Sequence, residues 1–194
     1  MLASASPRRR EMLARVGLAA EVSPADVDES ALSGEAPAAY VARVAKAKAA
    51  AIAPSLRAGQ WVLAADTTVT IDGAILGKAE TPDEAAAMLR KLSGRTHQVL
   101  TAFVIANGEV LRERLVATDV TVLPLDAAAV AGYVASNEWR GKAGAYAIQG
   151  IAAAFVSEVR GSVTNVIGLP LAEVIATLRE VGGPTPDFAV GIPA

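Results

Sequence analysis

Residues 61–66, Trp-Val-Leu-Ala-Ala-Asp, constrain the fold more than any other stretch of the chain. The run is almost continuously apolar, which predicts a strand buried on both faces of a sheet. A sheet covered by helices on both sides is an α/β architecture, and such sheets bind ligands at strand ends. Asp66 ends the run, where a carboxylate is costly to bury without a partner. Asp66 is therefore the leading candidate for chemistry, and the alternative is a carboxylate that caps the next turn.

The start of the first predicted helix carries an unusual positive charge. Pro7 occupies its first position, Ser6 is its N-cap, and Gly17 marks its end. Three arginines at positions 8–10 form the first turn, where the helix dipole already supplies about half a positive charge. Backbone N–H groups, hydroxyls and guanidinium groups together suit a phosphate. The alternative is a solvated basic turn.

Capping and turn signals divide the rest of the chain into helices and strands. Further helices are predicted from Pro37 to the residue before Pro54, from Thr81 to Ser93, from Asp126 to Ser136, and after Leu169-Pro170 through Arg179. Further strands are predicted over 19–23, over 96–124 with a turn at 107–108, over 152–159, and in a hairpin over 69–76 that turns at 72–73. Residues 1–181 are interpreted as one domain, and 182–194 as a mobile tail.

Several polar residues outside these signals have two interpretations each. Asp26, Asp28 and Glu29 place three carboxylates in four residues, which fits either a cation site or an acidic surface loop. Lys48 falls on the apolar face of the second helix, so it extends to water or reaches an anion in a pocket. Residues 137–150 are rich in glycine and carry Gln149, so they form a base-reading segment or a connecting loop.

Composition excludes several kinds of site and partner. The 194 residues contain no cysteine and one histidine, so thiolate sites are excluded and any metal is expected on carboxylates, which favours Mg²⁺ or Mn²⁺. His97 is expected to be a hydrogen-bonded structural residue. A net charge of -2 and 4% aromatic residues argue against a nucleic-acid partner. The apolar runs are too short to span a membrane, and the start lacks a signal-peptide core, so a cytoplasmic location is expected.

Six motifs, taken together, resemble the Maf family. They are LASASPRR at 2–9, AADTTV at 64–69, GK at 77–78, LSGRTHQVLT at 92–101, KAGAYAIQG at 142–150 and NVIGLPL at 165–171. The resemblance runs in order over nearly the whole chain. It implies a mixed twisted sheet flanked by helices, in two lobes with a central cleft, similar to the inosine triphosphate pyrophosphatases. A homodimer is also expected from the family.

The resemblance implies nucleoside triphosphate pyrophosphatase activity, in a family also associated with septum formation. The dTTP/UTP branch has Arg after Ser-Pro, Thr after the catalytic Asp and Gln in the fifth motif, and Arg8, Thr67 and Gln149 match it. The 7-methyl-GTP branch differs at these positions. The implied reaction converts dTTP, UTP and some modified pyrimidine nucleotides to the monophosphate and pyrophosphate. The alternatives are the 7-methyl-GTP branch and a non-catalytic nucleotide-binding regulator of septum formation.

The same resemblance implies a role for each site residue. Asp66 is implied to activate the attacking water and, together with Glu29, to bind Mg²⁺ or Mn²⁺. The residues implied to hold the triphosphate are Ser4, Ser6, Arg9, Lys48 and Lys78. The residues implied to recognise the pyrimidine are Arg8, Thr67 and Gln149. The expected partner is therefore a nucleoside triphosphate substrate.

Overall fold

The structure is a computed structural model that describes residues 1–186 and residue 188. Its helices are α1 (Pro7–Arg15), α2 (Pro37–Ile52), α3 (Pro82–Leu92), α4 (Ala127–Ala135), α5 (Val163–Ile167) and α6 (Leu171–Glu180). Its strands are β1 (Val62–Ile71), β2 (Ala74–Leu76), β3 (Thr96–Ala106), β4 (Leu111–Val122) and β5 (Val156–Arg160). Much of the predicted mobile tail, residues 187 and 189–194, lies outside the described residues.

The five strands form one sheet in the order β2-β1-β3-β4-β5. β1 pairs antiparallel with β2, with Ile71 opposite Ala74. β4 pairs antiparallel with β5, with an irregularity after Thr121. Leu2 forms a parallel bridge with Leu63, so the pairing is mixed. Together with the six helices, the sheet confirms the predicted α/β class.

Local signals account for where the elements begin and end. The hairpin between β1 and β2 turns at Asp72 and Gly73, whose φ angles of 54° and 74° are those of the two-residue turns that Asp-Gly favours. Thr81 caps α3, its Oγ1 accepting a hydrogen bond from the Glu84 N–H at 3.2 Å. Asp126 caps α4 in the same way, accepting from the Ala129 N–H at 2.7 Å. These predictions are confirmed because each depends on neighbouring residues alone.

The predicted end of the first buried strand is wrong. Asp66 lies in the middle of β1, which continues to Ile71. The two threonines at 67–68 are β-branched and extend the strand instead of ending it. Asp66 thus has strand residues before and after it, so its backbone lies inside a regular element and not at the end of one.

Two other predicted strands are also wrong in extent. Within 19–23, Val22 forms an isolated parallel bridge with Leu2, a pairing too short to count as a strand. Residues 151–155 form a 3₁₀ helix, and β5 begins only at Val156. The alanines at 152–154 have weak strand preference, which favours the tighter helix at this position.

The chain divides into two compact units. The first comprises residues 1–66, 101–115 and those from Gly168 onward, and the second comprises 67–100 and 116–167. Large fully buried side chains of the first unit include Leu2, Val41, Val44, Val62 and Phe103. Those of the second unit include Leu92, Val99, Tyr133 and Trp139. Burying each such side chain stabilises its unit by roughly 1.5–3 kcal/mol. Among the described residues, no helix is long and apolar enough to cross a membrane.

Candidate active site

Three ionic side chains of the first unit meet at the ammonium group of Lys48. Its Nζ lies 2.7 Å from Glu29 Oε1 and 2.8 Å from Asp66 Oδ1. The side chains of Lys48 and Asp66 are each 8% exposed, and that of Glu29 is 40% exposed. Lys48 therefore reaches an anion and does not extend to water. Because the trio carries one positive and two negative charges, it suits a further cation.

The secondary structure places Lys48 and Asp66 with little freedom. Lys48 projects from the buried face of α2, which also carries Val41, Val44, Ala45, Ala49 and Ile52. Asp66 projects from the centre of β1, a strand buried along nearly its whole length. Burial of a single charge here would cost several kcal/mol, so each side chain depends on the other.

The loop that carries Glu29 is tied to α2. The Tyr40 hydroxyl donates a hydrogen bond to the Glu29 carbonyl at 3.0 Å. Arg43 donates to the Ser30 carbonyl at 2.8 Å and to both carboxylate oxygens of Glu35 at 2.7 and 2.8 Å. These bonds from Arg43 hold the pKa of Glu35 down at about 2. The helix that carries Lys48 thus also anchors the loop of its partner Glu29.

The buried guanidinium group of Arg9 joins the two ends of the first unit. Its Nε donates to the Gly168 carbonyl at 2.7 Å, and its NH1 donates to Ser4 Oγ at 2.9 Å. Burial lowers the pKa of Arg9, and the nearby Asp66 carboxylate opposes that shift. Ser4 Oγ also accepts a hydrogen bond from the Ser6 N–H at 3.3 Å. Ser4, Ser6 and Arg9, three of the predicted phosphate ligands, therefore form one connected group.

The first turn of α1 differs from those of the capped helices. Ser6 occupies the N-cap position, but its side chain makes no capping hydrogen bond to the described residues. Arg8 is half-buried, and burial lowers its pKa while Glu11 opposes the shift. Arg10 is exposed. The turn thus combines a positive helix end with cations, an arrangement that favours an anion.

In the second unit, Lys78 lies beside the glycine-rich segment. Its backbone forms an antiparallel bridge with Ala143. The Gly144 N–H donates to the Gly77 carbonyl at 3.0 Å. Gly144 has a φ of 68°, and a Cβ there would lie 2.9 Å from Val69. Only glycine fits this contact, which packs the segment 142–150 onto the hairpin that precedes Lys78.

Two side chains that sequence reasoning missed hold the far end of that segment. The Ala147 N–H donates to Tyr133 Oη at 3.0 Å, and the Ile151 N–H donates to Glu138 Oε2 at 2.8 Å. Gln149 lies between these two contacts and is exposed. Apolar spacing in α4 marks Tyr133 as buried, but no pattern in the sequence indicates what its hydroxyl contacts.

His97 belongs to the interior of the second unit. Its Nε2 lies 2.8 Å from Tyr146 Oη, and the rings meet edge to face at 5.4 Å. Burial lowers the pKa of His97 to about 4, although Asp119 opposes the shift. The ring is therefore neutral at pH 7, as expected of a structural histidine.

The structure brings the predicted site residues into two sets. The first unit holds Ser4, Ser6, Arg8, Arg9, Glu29, Lys48 and Asp66. The second unit holds Thr67, which is half-buried in β1, with Lys78 and Gln149. Sequence reasoning missed the Gly168 carbonyl, which lies 159 residues from its partner Arg9. The motif at 165–171 contains that glycine, but its spacing gives no sign of the contact.

The donor groups at Lys48 fit a hard cation. Glu29 and Asp66 supply carboxylate oxygens that face the same point. Mg²⁺ typically takes one or two carboxylates and completes its shell with water and phosphate oxygens. Within the described part of the chain, no group of three or more His, Cys, Asp or Glu side chains could hold a metal ion. A site on this carboxylate pair therefore depends on ligands from water or substrate.

Comparisons with known proteins point to one family. The family model described as "Maf-like protein" matches residues 1–181. The chain is 52% identical over 190 residues to a protein of Anaeromyxobacter dehalogenans named dTTP/UTP pyrophosphatase, covering 96% of this chain and 95% of that protein. It is 49% identical to a protein of Rhodopseudomonas palustris with the same name, covering 95% and 92%. The solved Staphylococcus aureus Ham1 protein is similar over 62% of this chain and 70% of its own, with a TM-score of 0.46 and 15% identity.

Proposed function

The chain belongs to the Maf family, and from that premise we propose that it hydrolyses dTTP and UTP to the nucleoside monophosphate and pyrophosphate. Relatives that carry this activity in their names are about half identical over nearly the whole chain. The observation that carries the proposal is the ionic group in which buried Lys48 contacts both buried Asp66 and the partly exposed Glu29. Such a group supplies a base, a phosphate ligand and a cation site in one place.

The proposed reaction is an attack by water on the α-phosphorus. A bond forms from the water oxygen to that phosphorus, and the bond to the oxygen bridging to the β-phosphate breaks. Asp66 accepts the proton that the water loses. Pyrophosphate leaves with the electron pair of the broken bond. Because little covalent chemistry falls to the protein, positioning and charge stabilisation are expected to supply most of the rate enhancement.

A divalent cation, Mg²⁺ or Mn²⁺, is proposed to bind at Glu29 and Asp66. Such a cation would neutralise charge on the phosphate oxygens and lower the pKa of the attacking water. Lys48 would then be able to shift its ammonium group from the two carboxylates toward the phosphates. The long, flexible lysine side chain permits that shift without movement of α2.

The remaining residues are proposed to bind the phosphates and the base of the substrate. Ser4, Ser6 and Arg9 bind phosphate oxygens at the start of α1, and Lys78 adds a further positive charge. Base recognition is assigned to Arg8, Thr67 and Gln149. An amide such as Gln149 can donate and accept hydrogen bonds, which suits the alternating donors and acceptors of a pyrimidine edge. The predicted single domain over 1–181, homodimer and cytoplasmic location stay predictions.

Pyrophosphate release across the standard triphosphates and 7-methyl-GTP, with Mn²⁺ present, tests the proposal. Preferred release from dTTP and UTP is the expected result. Preferred release from 7-methyl-GTP would move the chain to the other branch of the family. Release from none of them would favour a non-catalytic nucleotide-binding role.

A further inference from the structure

The Glu138 carboxylate fills the space that a side chain at position 150 would need. Its Oε2 accepts a hydrogen bond from the Ile151 N–H at 2.8 Å. A Cβ added to Gly150 would lie 2.1 Å from that same oxygen. The φ of Gly150 is -114°, outside the left-handed region that favours glycine. A side chain at position 150 would therefore have to displace the Glu138 carboxylate.

Contacts on both sides of Gln149 define a single short turn. On one side, the Ala147 N–H donates to the buried Tyr133 hydroxyl at 3.0 Å. Within the turn, the Gly150 N–H donates to the Ala147 carbonyl at 3.0 Å. On the other side of Gln149, the Ile151 N–H donates its hydrogen bond to the Glu138 carboxylate. Gln149 is exposed between these tied points, so its direction depends on the backbone that they hold.

Glu138 is itself held in place by its neighbours. Its N–H donates to Ser136 Oγ at 3.2 Å. The next residue, Trp139, is fully buried, and its Nε1 donates to the Val134 carbonyl at 2.9 Å. The carboxylate therefore projects from a fixed backbone onto the turn at 149–151.

We propose that Glu138 is a positioning residue for base selection, because its carboxylate fixes the turn that presents Gln149 to the pyrimidine. This inference rests on the proposed function, in which Gln149 reads the base. Nothing requires Glu138 to touch the nucleotide. Its removal frees the turn, so the base is held less well while the chemical step at the phosphates proceeds as before.

Steady-state pyrophosphate release from dTTP and CTP tests the role of Glu138. Glu138→Ala is expected to raise the KM for dTTP about ten-fold. That change corresponds to the free energy that one hydrogen bond to a charged group contributes. The preference for dTTP over CTP is expected to fall as the KM for dTTP rises. The kcat is expected to change less than about two-fold, because the lost interaction holds the bound substrate and the transition state equally. Glu138→Gln keeps an oxygen acceptor for the Ile151 N–H and is expected to restore most of both values.

Gly150→Ala supplies an independent route to the same defect. Its methyl group displaces the carboxylate, so the variant is expected to match Glu138→Ala in KM and base preference. The double variant is expected to be no worse than either single variant, because both remove one shared contact. Additive effects in the double variant would overturn the proposal.

Matched controls separate positioning from simple structural support. Gly132→Ala adds a methyl group that meets nothing among the described residues within 4 Å, and Glu158→Ala removes an exposed carboxylate paired with Arg160. Both are expected to keep wild-type kinetics. If Glu138→Ala lowers only the melting temperature and leaves KM and base preference unchanged, Glu138 is merely a cap for residues 151–155.

Gln149→Ala separates the positioning role of Glu138 from the proposed base recognition by Gln149. Lost base preference in Gln149→Ala, with normal preference in Glu138→Ala, overturns the positioning role alone. Unchanged preference in Gln149→Ala removes Gln149 from base recognition and overturns the positioning role with it. Absence of pyrophosphate release from the wild-type chain overturns the proposed function as well.

Discussion

The two units differ in the polar side chains that they bury. Among the described residues, the buried charged side chains are Arg9, Lys48 and Asp66, and all three belong to the first unit. The buried polar side chains of the second unit are uncharged at pH 7: Thr68, Thr70, His97, Thr118 and Asn165. Buried ion pairs are often no more stabilising than apolar residues of the same size. Under the proposed function, the buried charges of the first unit serve the substrate, whereas the buried polar groups of the second unit serve its packing.

Among the variants that test this difference between the two units, Asp66→Asn is expected to have the largest effect. Loss of the base is expected to lower kcat for dTTP by about a thousand-fold. The amide oxygen still accepts a hydrogen bond from Lys48, so the melting temperature should change little. Pyrophosphate release and thermal melting measure the two effects. Wild-type turnover in this variant would remove Asp66 from the chemistry.

Lys48→Met removes the cation between the two carboxylates. In metal-free buffer, the free energy of unfolding is expected to fall by about 4 kcal/mol, because Glu29 and Asp66 are left facing each other. Mn²⁺ should restore more of that loss than it adds to the wild-type chain, since it binds the folded state. Urea unfolding with and without Mn²⁺ measures both.

A neighbouring lysine on α2 provides the control for Lys48→Met. Lys46 is 56% exposed and pairs with Glu113 at 2.9 Å. Lys46→Met is expected to cost less than about 1 kcal/mol, the usual limit for a surface pair. Equal losses in the two variants would mean that the buried group has no special electrostatic role.

In the second unit, His97 predicts a pH dependence of stability. Its pKa is lowered from 6.5 to about 4 by burial, so between these values the unfolded chain binds more protons than the folded one. Stability is therefore complete above pH 6.5 and falls by about 3 kcal/mol as the pH drops to 4. Urea unfolding across this range measures it. His97→Phe should lack this part of the slope, and an unchanged slope would contradict the assignment.

The smallest effects are expected at the starts of two helices, α3 and α1. Thr81→Ala removes the cap of α3 and should lower the unfolding free energy by about 1 kcal/mol without affecting turnover. Ser6→Ala should leave stability nearly unchanged, because its side chain makes no capping bond to the described residues, yet raise the KM for dTTP. Urea unfolding and steady-state kinetics separate the two. Equal destabilisation would show that Ser6 serves the helix and not a phosphate.

Features that depend on a few adjacent residues were predictable. Pro7, Pro37 and the Thr81 cap mark helix starts that the structure confirms, because caps act within one turn. The Asp72-Gly73 turn is confirmed for the same reason. The end of β1 could not be placed, since β-branched threonines either follow a strand or extend it. Local propensity alone does not separate these cases.

The candidate site was predictable where a charged residue lies in an otherwise apolar stretch of sequence. Lys48 on an apolar helix face and Asp66 in an apolar run are both anomalies that the residues themselves display. The spacing of Asp26, Asp28 and Glu29 left a cation site and an acidic surface loop both open, and only the family resemblance singled out Glu29. The contacts of Arg9 with Gly168 and of Glu138 with Ile151 could not be predicted. The first contact joins residues far apart in the sequence, and the second depends on an irregular turn. The spacing of residues in the sequence indicates neither.

The bond between Arg9 and the Gly168 carbonyl has a consequence for the order of folding. Glu29, Lys48 and Asp66 are close in sequence, so the loop that brings them together closes early and at low entropic cost. The Arg9 contact spans 159 residues and is unavailable on the ribosome until most of the chain has emerged. The group around Lys48 is thus expected to assemble first, and the group around Arg9 last. Under the proposed function, the chain binds nucleotide fully only after Gly168 has emerged.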